Sequence, residues 1–231
     1  MGFRRPNTNH KQYLSALLAE VKQELATKDF AEKYAAAQKL LFLFNEGVDI
    51  AWAIFNVIEL MGSNSFENKR IAYVLAPLVL RDGRNQEFLT LTPNVFRKDF
   101  KDMGADPLTV SLSAGCLARI CNEELAGLLY KEMVPLYTCS KALIRRKICI
   151  LTFKMFFFCS DSISELLPYL SDRLKDTKTG VQISAVTTIH EISRLNPRLF
   201  LVTIPHLFEL LHSTKSNWLI IKLIKLVLLL F

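Results

Sequence analysis

Side chains able to do acid–base or nucleophilic chemistry are few in this 231-residue chain, and none stands in a recognisable setting. The four histidines are His10, His190, His206 and His212. His190-Glu191 begins like a zinc-protease helix, but Arg194 stands where a second histidine is required, so that motif fails. Ser111, Ser113 and Cys116 lack a nucleophile setting such as GxSxG. Neither GxGxxG nor GxxxxGK[ST] occurs, so there is no sequence case for nucleotide phosphates. Five cysteines (Cys116, Cys121, Cys139, Cys149, Cys159) are odd in number and form no CxxC pair, and they read as buried, reduced thiols of a cytosolic protein. Acids such as Asp172 and Asp176 fall at turns, where helix capping accounts for them. The expectation is a chain without catalysis, metal or cofactor.

Basic side chains are more suggestive. The net charge is +7, which suits membrane headgroups, an acidic protein face or nucleic acid. Lys69-Arg70 and Arg145-Arg146-Lys147 occupy similar points near the start of two helices, with Arg81, Arg84, Arg97, Lys98 and Lys101 between them in sequence. In a stacked array equivalent positions align, so these residues are candidates for a basic stripe that meets a partner or membrane. The plainer reading makes each one a solvated helix face or an inter-repeat ion pair.

Those positions are set by a repeated element, seen best in LLPYLSDRLKDTKTGVQISAVTTIHEISRLNP (166–197). Leu166, Leu170 and Leu174 share one helical face; Val181, Ala185, Ile189 and Ile192 share another. Asp176–Gly180 is a turn between them, and Asn196-Pro197 stops the second helix. Neither helix hides its stripe alone, so pairs must stack. Similar joints recur at Glu32 (weakly), Ile71, Val110, Ile144, Val181 and Trp218, at intervals of 39, 39, 34, 37 and 37 residues. This is close to the ~40-residue period of HEAT and armadillo arrays. The fold class predicted is therefore an all-α solenoid of about six antiparallel helix pairs, with Ile71, Val110, Ile144, Val181, Ala185 and Trp218 anchoring the repeat cores.

Along the chain, residues 1–10 read as a flexible basic tail and 11–231 as one continuous solenoid, since no linker or low-complexity segment interrupts it. Helices are expected over 13–25, 33–44, 50–61, 69–80, 88–100, 109–120, 123–136, 144–158, 166–174, 181–195, 200–211 and 217–231, with turns at 81–84 and 104–107. MGFRRPNTNHKQ has no apolar core of a signal peptide, and Pro6 replaces the Ser or Thr that a myristoylation signal needs after Gly2. No apolar run reaches the ~18 residues of a membrane span. The chain stops within LIIKLIKLVLLLF, which predicts either the front part of a longer array or a face that a partner covers.

Several segments, in order, carry a family resemblance: EVKQEL (20–25), KLLFLFNEGVDIAWAIFNVIELM (39–61), NKRIAYVLAPLVL (68–80), LTPNVFRKDF (91–100), IRRK (144–147), GVQISAV (180–186) and SNWLIIKLIKLV (216–227). Through them residues 13–231 resemble the N-terminal trunk of adaptor-complex large subunits, the adaptins; Asn217-Trp218 followed by LIIKLIKL favours the delta branch, that of the third adaptor complex. The resemblance implies a non-enzymatic HEAT-like trunk. It would clasp a small sigma subunit and join beta and mu subunits in a heterotetramer. An Arf-type GTPase and phosphoinositides would recruit that coat from the cytoplasm to Golgi and endosomal membranes, to sort cargo toward lysosomes or vacuoles. In the alpha relative a lysine run before KLLF holds phosphoinositide; here those positions are Ala31, Glu32 and Lys33. An arginine of relatives that helps hold acidic dileucine signals falls, by an ungapped count back from EVKQEL, at Arg4, beside Arg5. The alternatives are another HEAT scaffold, such as a nuclear-import-type array or coatomer trunk, and a basic helical repeat that binds nucleic acid. The adaptin segments argue for no nucleic acid.

Overall fold

The computed structural model describes residues 8–80, 85–101, 106–160 and 162–231. Arg4, Arg5, the expected turn at 81–84 and Gly104 lie outside them. Every regular element among the described residues is helical. The helices gather into two compact units, residues 1–92 and 93–231.

The first unit holds two hairpins. Helix α1 (Thr8–Ala26) starts inside the stretch expected to be tail and packs on α2 (Phe30–Asn45); α3 (Ile54–Met61) packs on α4 (Phe66–Val79), and α2 lies against α4. Asp29 caps α2, its carboxylate accepting from the Ala31 amide at 2.9 Å. The helix ends at Gly47, whose φ of +82° is open to glycine at little cost. There the Val48 amide reaches back to the Leu43 carbonyl at 2.9 Å and the Gly47 amide to Phe44 at 3.0 Å, the bond pattern of a left-handed cap. Asn56 of α3 donates to the Leu25 carbonyl at 3.0 Å, so one hairpin finishes the helix end of another.

The second unit holds four hairpins: α5 (Pro93–Lys101) with α6 (Pro107–Ile120), α7 (Glu123–Leu129) and α8 (Val134–Tyr137) with α9 (Ala142–Phe158), α10 (Ser162–Asp172) with α11 (Thr179–Ser193), and α12 (Ile204–Ser213) with α13 (Asn217–Leu230). Their second helices stack in order, α6 on α9, α9 on α11 and α11 on α13. Leu117, Ile144, Ile148, Leu166, Leu170, Val181, Ala185, Ile189, Leu219 and Leu223 fill the seams. Each buried Leu or Ile is worth about 1.5–3 kcal/mol of transfer free energy. A polar bond crosses the α9–α11 seam: the Thr188 hydroxyl of α11 donates to the Cys149 carbonyl of α9 at 2.8 Å.

Four expected helices are shorter than their apolar runs: the 50–61 run opens as a 3-10 turn at Ala51–Ala53 before α3, and in the other three a proline marks the break. Glu123–Leu136 divides into α7, a 3-10 turn at Tyr130–Met133, and α8, because Pro135 has no amide hydrogen to bond the preceding turn. Phe88–Phe100 becomes a 3-10 turn at Gln86–Leu91 followed by α5, which starts at Pro93, a favourable first helical residue. Phe200–Leu211 becomes a 3-10 turn at Pro197–Thr203 followed by α12, with Pro205 in its first turn. Among the described residues no helix is long and apolar enough to cross a membrane.

The thiols follow their burial. Cys116, Cys121 and Cys149 are buried, and that burial pushes each thiol up to about 12; Cys139 and Cys159 are half-buried. Since the thiolate is the reactive form, iodoacetamide at pH 8 will alkylate Cys139 and Cys159 in the folded chain. Peptide mapping will find the other three modified only after urea is added.

Candidate interaction site

The fourth residue of most second helices is long, polar and turned inward. In α2 it is Lys33, whose amine donates to both carboxylate oxygens of Glu59 on α3, at 2.6 and 2.7 Å. In α4 it is Lys69, 5% exposed, which donates to the Met61 carbonyl at the end of α3 at 2.9 Å. In α9 it is Arg145, and in α11 Gln182, whose amide donates to the Asp176 carbonyl at 2.8 Å. A helix leaves its last carbonyls without partners. At a buried hairpin turn, the helix that follows supplies the missing donors.

Arg145 is the most heavily bonded of these. Its Nε and Nη2 fork onto Asp176 at 2.7 and 2.9 Å, and Nη1 donates to the Cys139 and Ser140 carbonyls at 2.7 and 3.1 Å. It thus joins the turn before α9 to the turn before α11. Burial alone would raise the Asp176 carboxyl. The Arg145 bonds, the Lys178 amide at 2.9 Å and the charges of Arg145 and Arg173 outweigh it and hold the pKa below the ordinary aspartate range. The Asp176 bond in turn holds the Arg145 guanidinium above its ordinary value.

This geometry redistributes the basic residues read from sequence. Lys69 and Arg145 are turned inward, Lys69 onto the Met61 carbonyl and Arg145 onto the Asp176 carboxylate and the Cys139 carbonyl. Arg70 and Arg146, one position further along each helix, are exposed, and Lys147 is half-buried. Arg97 bonds the Leu128 carbonyl at 3.2 Å and lies 3.5 Å from Glu132. Lys33, the remaining lysine of the relatives' phosphoinositide run, is buried against Glu59. Of the repeat-core anchors, Val110, Ile144, Val181 and Ala185 are buried, and Ile71 is half-buried beside buried Ala72 and Tyr73. Trp218 is corrected: it is 60% exposed. The buried stripe of α13 is Leu219, Leu223, Leu226 and Leu230, and Trp218 falls one position, about 100° of helix, off that stripe. Lys33, Gln182 and the Asp176 fork went unread; the long polar residue recurring four places into four of the six second helices was their sequence signal.

Apolar side chains also stand open at the surface. Between α1 and α2 a cavity of about 400 Å³ is lined by Tyr13, Leu17, Ala35, Gln38, Lys39 and Phe42, with Lys39 held by Glu20 and Glu24 at 2.6 and 2.5 Å. Along α13, Trp218, Ile221, Ile224 and Leu228 are exposed beside Lys222 and Lys225. Among the described residues no group of three His, Cys, Asp or Glu is placed to hold a metal ion. An arrangement of this kind offers contact area, and apolar patches of this sort mark binding surfaces.

Comparison with known proteins places the chain. The family model described as the adaptin N terminal region matches residues 10–230. The chain is 35% identical over 225 residues to the AP-3 complex subunit delta-1 of Bos taurus, an alignment spanning 97% of this chain and 18% of that protein. It is 31% identical over 226 residues to the AP-3 complex subunit delta of Dictyostelium discoideum, spanning 97% of this chain and 19% of that one. The chain thus spans about a fifth of the length of these relatives. In structure it is similar to a chain of a homology model of the full-length AP-3 complex in an intermediate open conformation, with a TM-score of 0.75 and 30% identity over 87% of this chain and 35% of that one. A designed armadillo repeat protein in complex with the peptide (KR)4 shares the fold, with a TM-score of 0.67 and 17% identity over 93% of this chain and 99% of the design. The fold is an α-solenoid.

The Arg145–Asp176 fork sets a stability test. Arg145→Ala leaves the buried Asp176 carboxylate with only the longer Arg173 contact at 3.4 Å, and unfolding in urea will show a loss of about 3 kcal/mol. Adding Asp176→Asn to that variant will restore part of it. Because the folded Asp176 value is depressed, the pair's contribution is full above the ordinary value of 3.8 and is lost as pH falls through the folded value. Acid will therefore weaken the wild type in that range and weaken the Arg145→Ala variant less.

Proposed function

The chain belongs to the adaptin N-terminal family, and from that premise we propose that it is a non-enzymatic structural subunit of a vesicle-coat adaptor complex acting in intracellular protein transport. The observation that carries the reading is the match over residues 10–230, joined by identity to delta subunits along nearly the whole chain. On this reading the solenoid scaffolds a small sigma subunit and, with beta and mu subunits, forms a heterotetramer. An Arf-type GTPase and phosphoinositide headgroups bring that assembly from the cytoplasm to Golgi and endosomal membranes, where it sorts cargo toward lysosomes or vacuoles.

The side chains support a scaffold. His190 lies 3.2 Å from Glu191, and Arg194 holds the same carboxylate at 3.3 Å. The buried thiols are kept protonated by their surroundings. Exposed Tyr13 and Phe42 and the open face of α13 give such a subunit apolar area to cover with its partners. Exposed Arg70 and Arg146 are its candidates for membrane or GTPase contact, with Arg4 and Arg5 of the N-terminal segment.

Co-expression tests the assignment. Together with a sigma-type subunit of the third adaptor complex, the chain will purify as a one-to-one pair with a raised Tm. Hydrogen exchange will slow somewhere on its exposed apolar faces. A chain that purifies alone, with Tm unmoved by the sigma subunit, would overturn the reading.

A further inference from the structure

Cys121 and Cys159 hold the same place on neighbouring helices. Each is the first residue past the last turn, Cys121 closing α6 and Cys159 closing α9. Those two helices pack on each other, and α9 has α11 on its other side. Second helices of successive hairpins run the same way, with axes ~8–10 Å apart, so their ends come side by side. The charges record that closeness. Burial raises the Cys121 thiol, the Lys154 ammonium of α9 draws it partly back, and the neighbouring Cys159 raises it further.

The two thiols differ in access. Cys121 is 7% exposed, and its thiol turns onto the Asn122 carbonyl at 3.7 Å. Cys159 is half-buried, and its backbone has left the helix, at φ −139° and ψ 93°, where the chain turns toward α10. A solute can reach Cys159, whereas Cys121 is reached from within the fold. A metal ion is a poor ligand for the pair, since a zinc site takes three or four protein donors. Among the described residues no group of three His, Cys, Asp or Glu is placed to supply them.

We propose that Cys159 and Cys121 are a dithiol pair that a small-molecule disulfide, such as oxidised glutathione, converts to a disulfide within the chain. The Cys159 thiolate attacks one sulfur of the oxidant and breaks its S–S bond. One glutathione thiolate leaves, and Cys159 carries the other half as a mixed disulfide. The Cys121 thiolate then attacks the Cys159 sulfur and expels the second glutathione. Two protein thiols give up two electrons and two protons, and the oxidant takes them up as two glutathione thiols. A buried thiol is a slow nucleophile, but one held beside the bond it attacks gains from proximity. Closing the bond brings the Cβ atoms to about 3.8 Å, so the turn that carries Cys159 draws in toward α6. The link ties hairpin α5–α6 to the hairpin that ends in α9, across 38 residues of sequence, and removes freedom from the unfolded chain. It lies wholly within the second unit and needs no assembly partner.

Oxidised glutathione is the probe. The folded full chain is held with an excess of it at alkaline pH for hours, and remaining thiols are capped with iodoacetamide in urea. Trypsin without reductant then leaves Cys121 in peptide 120–131 and Cys159 in peptide 155–173. Mass spectrometry will find these two peptides joined, lighter by two hydrogens than their sum. The Tm of the linked chain will stand about 5 °C above that of the same sample after dithiothreitol. In Cys121→Ala, Cys159 will keep its glutathione, and the Tm difference will be lost. Glutathione that persists on Cys159 of the unmutated chain while Cys121 stays free overturns the proposal, whatever the variant does. So does a Cys121–Cys159 link that forms only when urea is present during oxidation, because the fold would then hold the thiols apart.

Discussion

Hairpin turns that lie between stacked helices must satisfy carbonyls that water reaches poorly, and much else in this chain follows from how that is done. A last-turn carbonyl without a donor costs about as much as a lost hydrogen bond, ~1–3 kcal/mol. Lys33, Lys69, Arg145 and Gln182 each stand four residues into a second helix; from there Lys69, Arg145 and Gln182 reach back to carbonyls of the preceding helix end or turn, while Lys33 reaches the Glu59 carboxylate of α3. Lys69 closes the end of its own hairpin at Met61. Arg145 does the same at Cys139 and Ser140 and then extends to Asp176 of the next turn. A device that ties one turn to the next fixes the register of stacking as well as its strength, because apolar stripes alone tolerate sliding.

This placement explains what was legible in the sequence and what was not. The helical period and the turn chemistry were, since stripes such as Val181, Ala185, Ile189 and Ile192 record burial directly in residue spacing. The two readings of the basic residues could not be separated there, because a charge in sequence carries no sign of which carbonyls will lie beside it. Lys69 and Arg70 are neighbours, yet one is 5% exposed and the other faces water. Trp218 misled for another reason. It is the first large apolar residue after the Ser216 cap, but burial is chosen by the whole helix, and the Leu219–Leu223–Leu226–Leu230 stripe outweighs one aromatic. Prolines were underread too, since Pro93 and Pro135 divide runs whose apolar pattern continues across them.

A net charge of +7 is thus a poor guide to the binding surface. In unit 1, Lys33 and Lys39 answer glutamates of neighbouring helices; in unit 2, Arg97, Arg145 and Arg194 are bonded within the unit. Lys33, Lys39, Arg97 and Arg145 join one element to another and so serve the stack, while Arg194 serves its own helix.

The pair that looks most like chemistry in the sequence is resolved by the same logic of local bonding. His190-Glu191 opens as a zinc-protease helix would, and Arg194 stands where the second histidine is required. In the structure Arg194 holds the Glu191 carboxylate at 3.3 Å, and His190 lies 3.2 Å from it. The residue that breaks the motif therefore also occupies its acid.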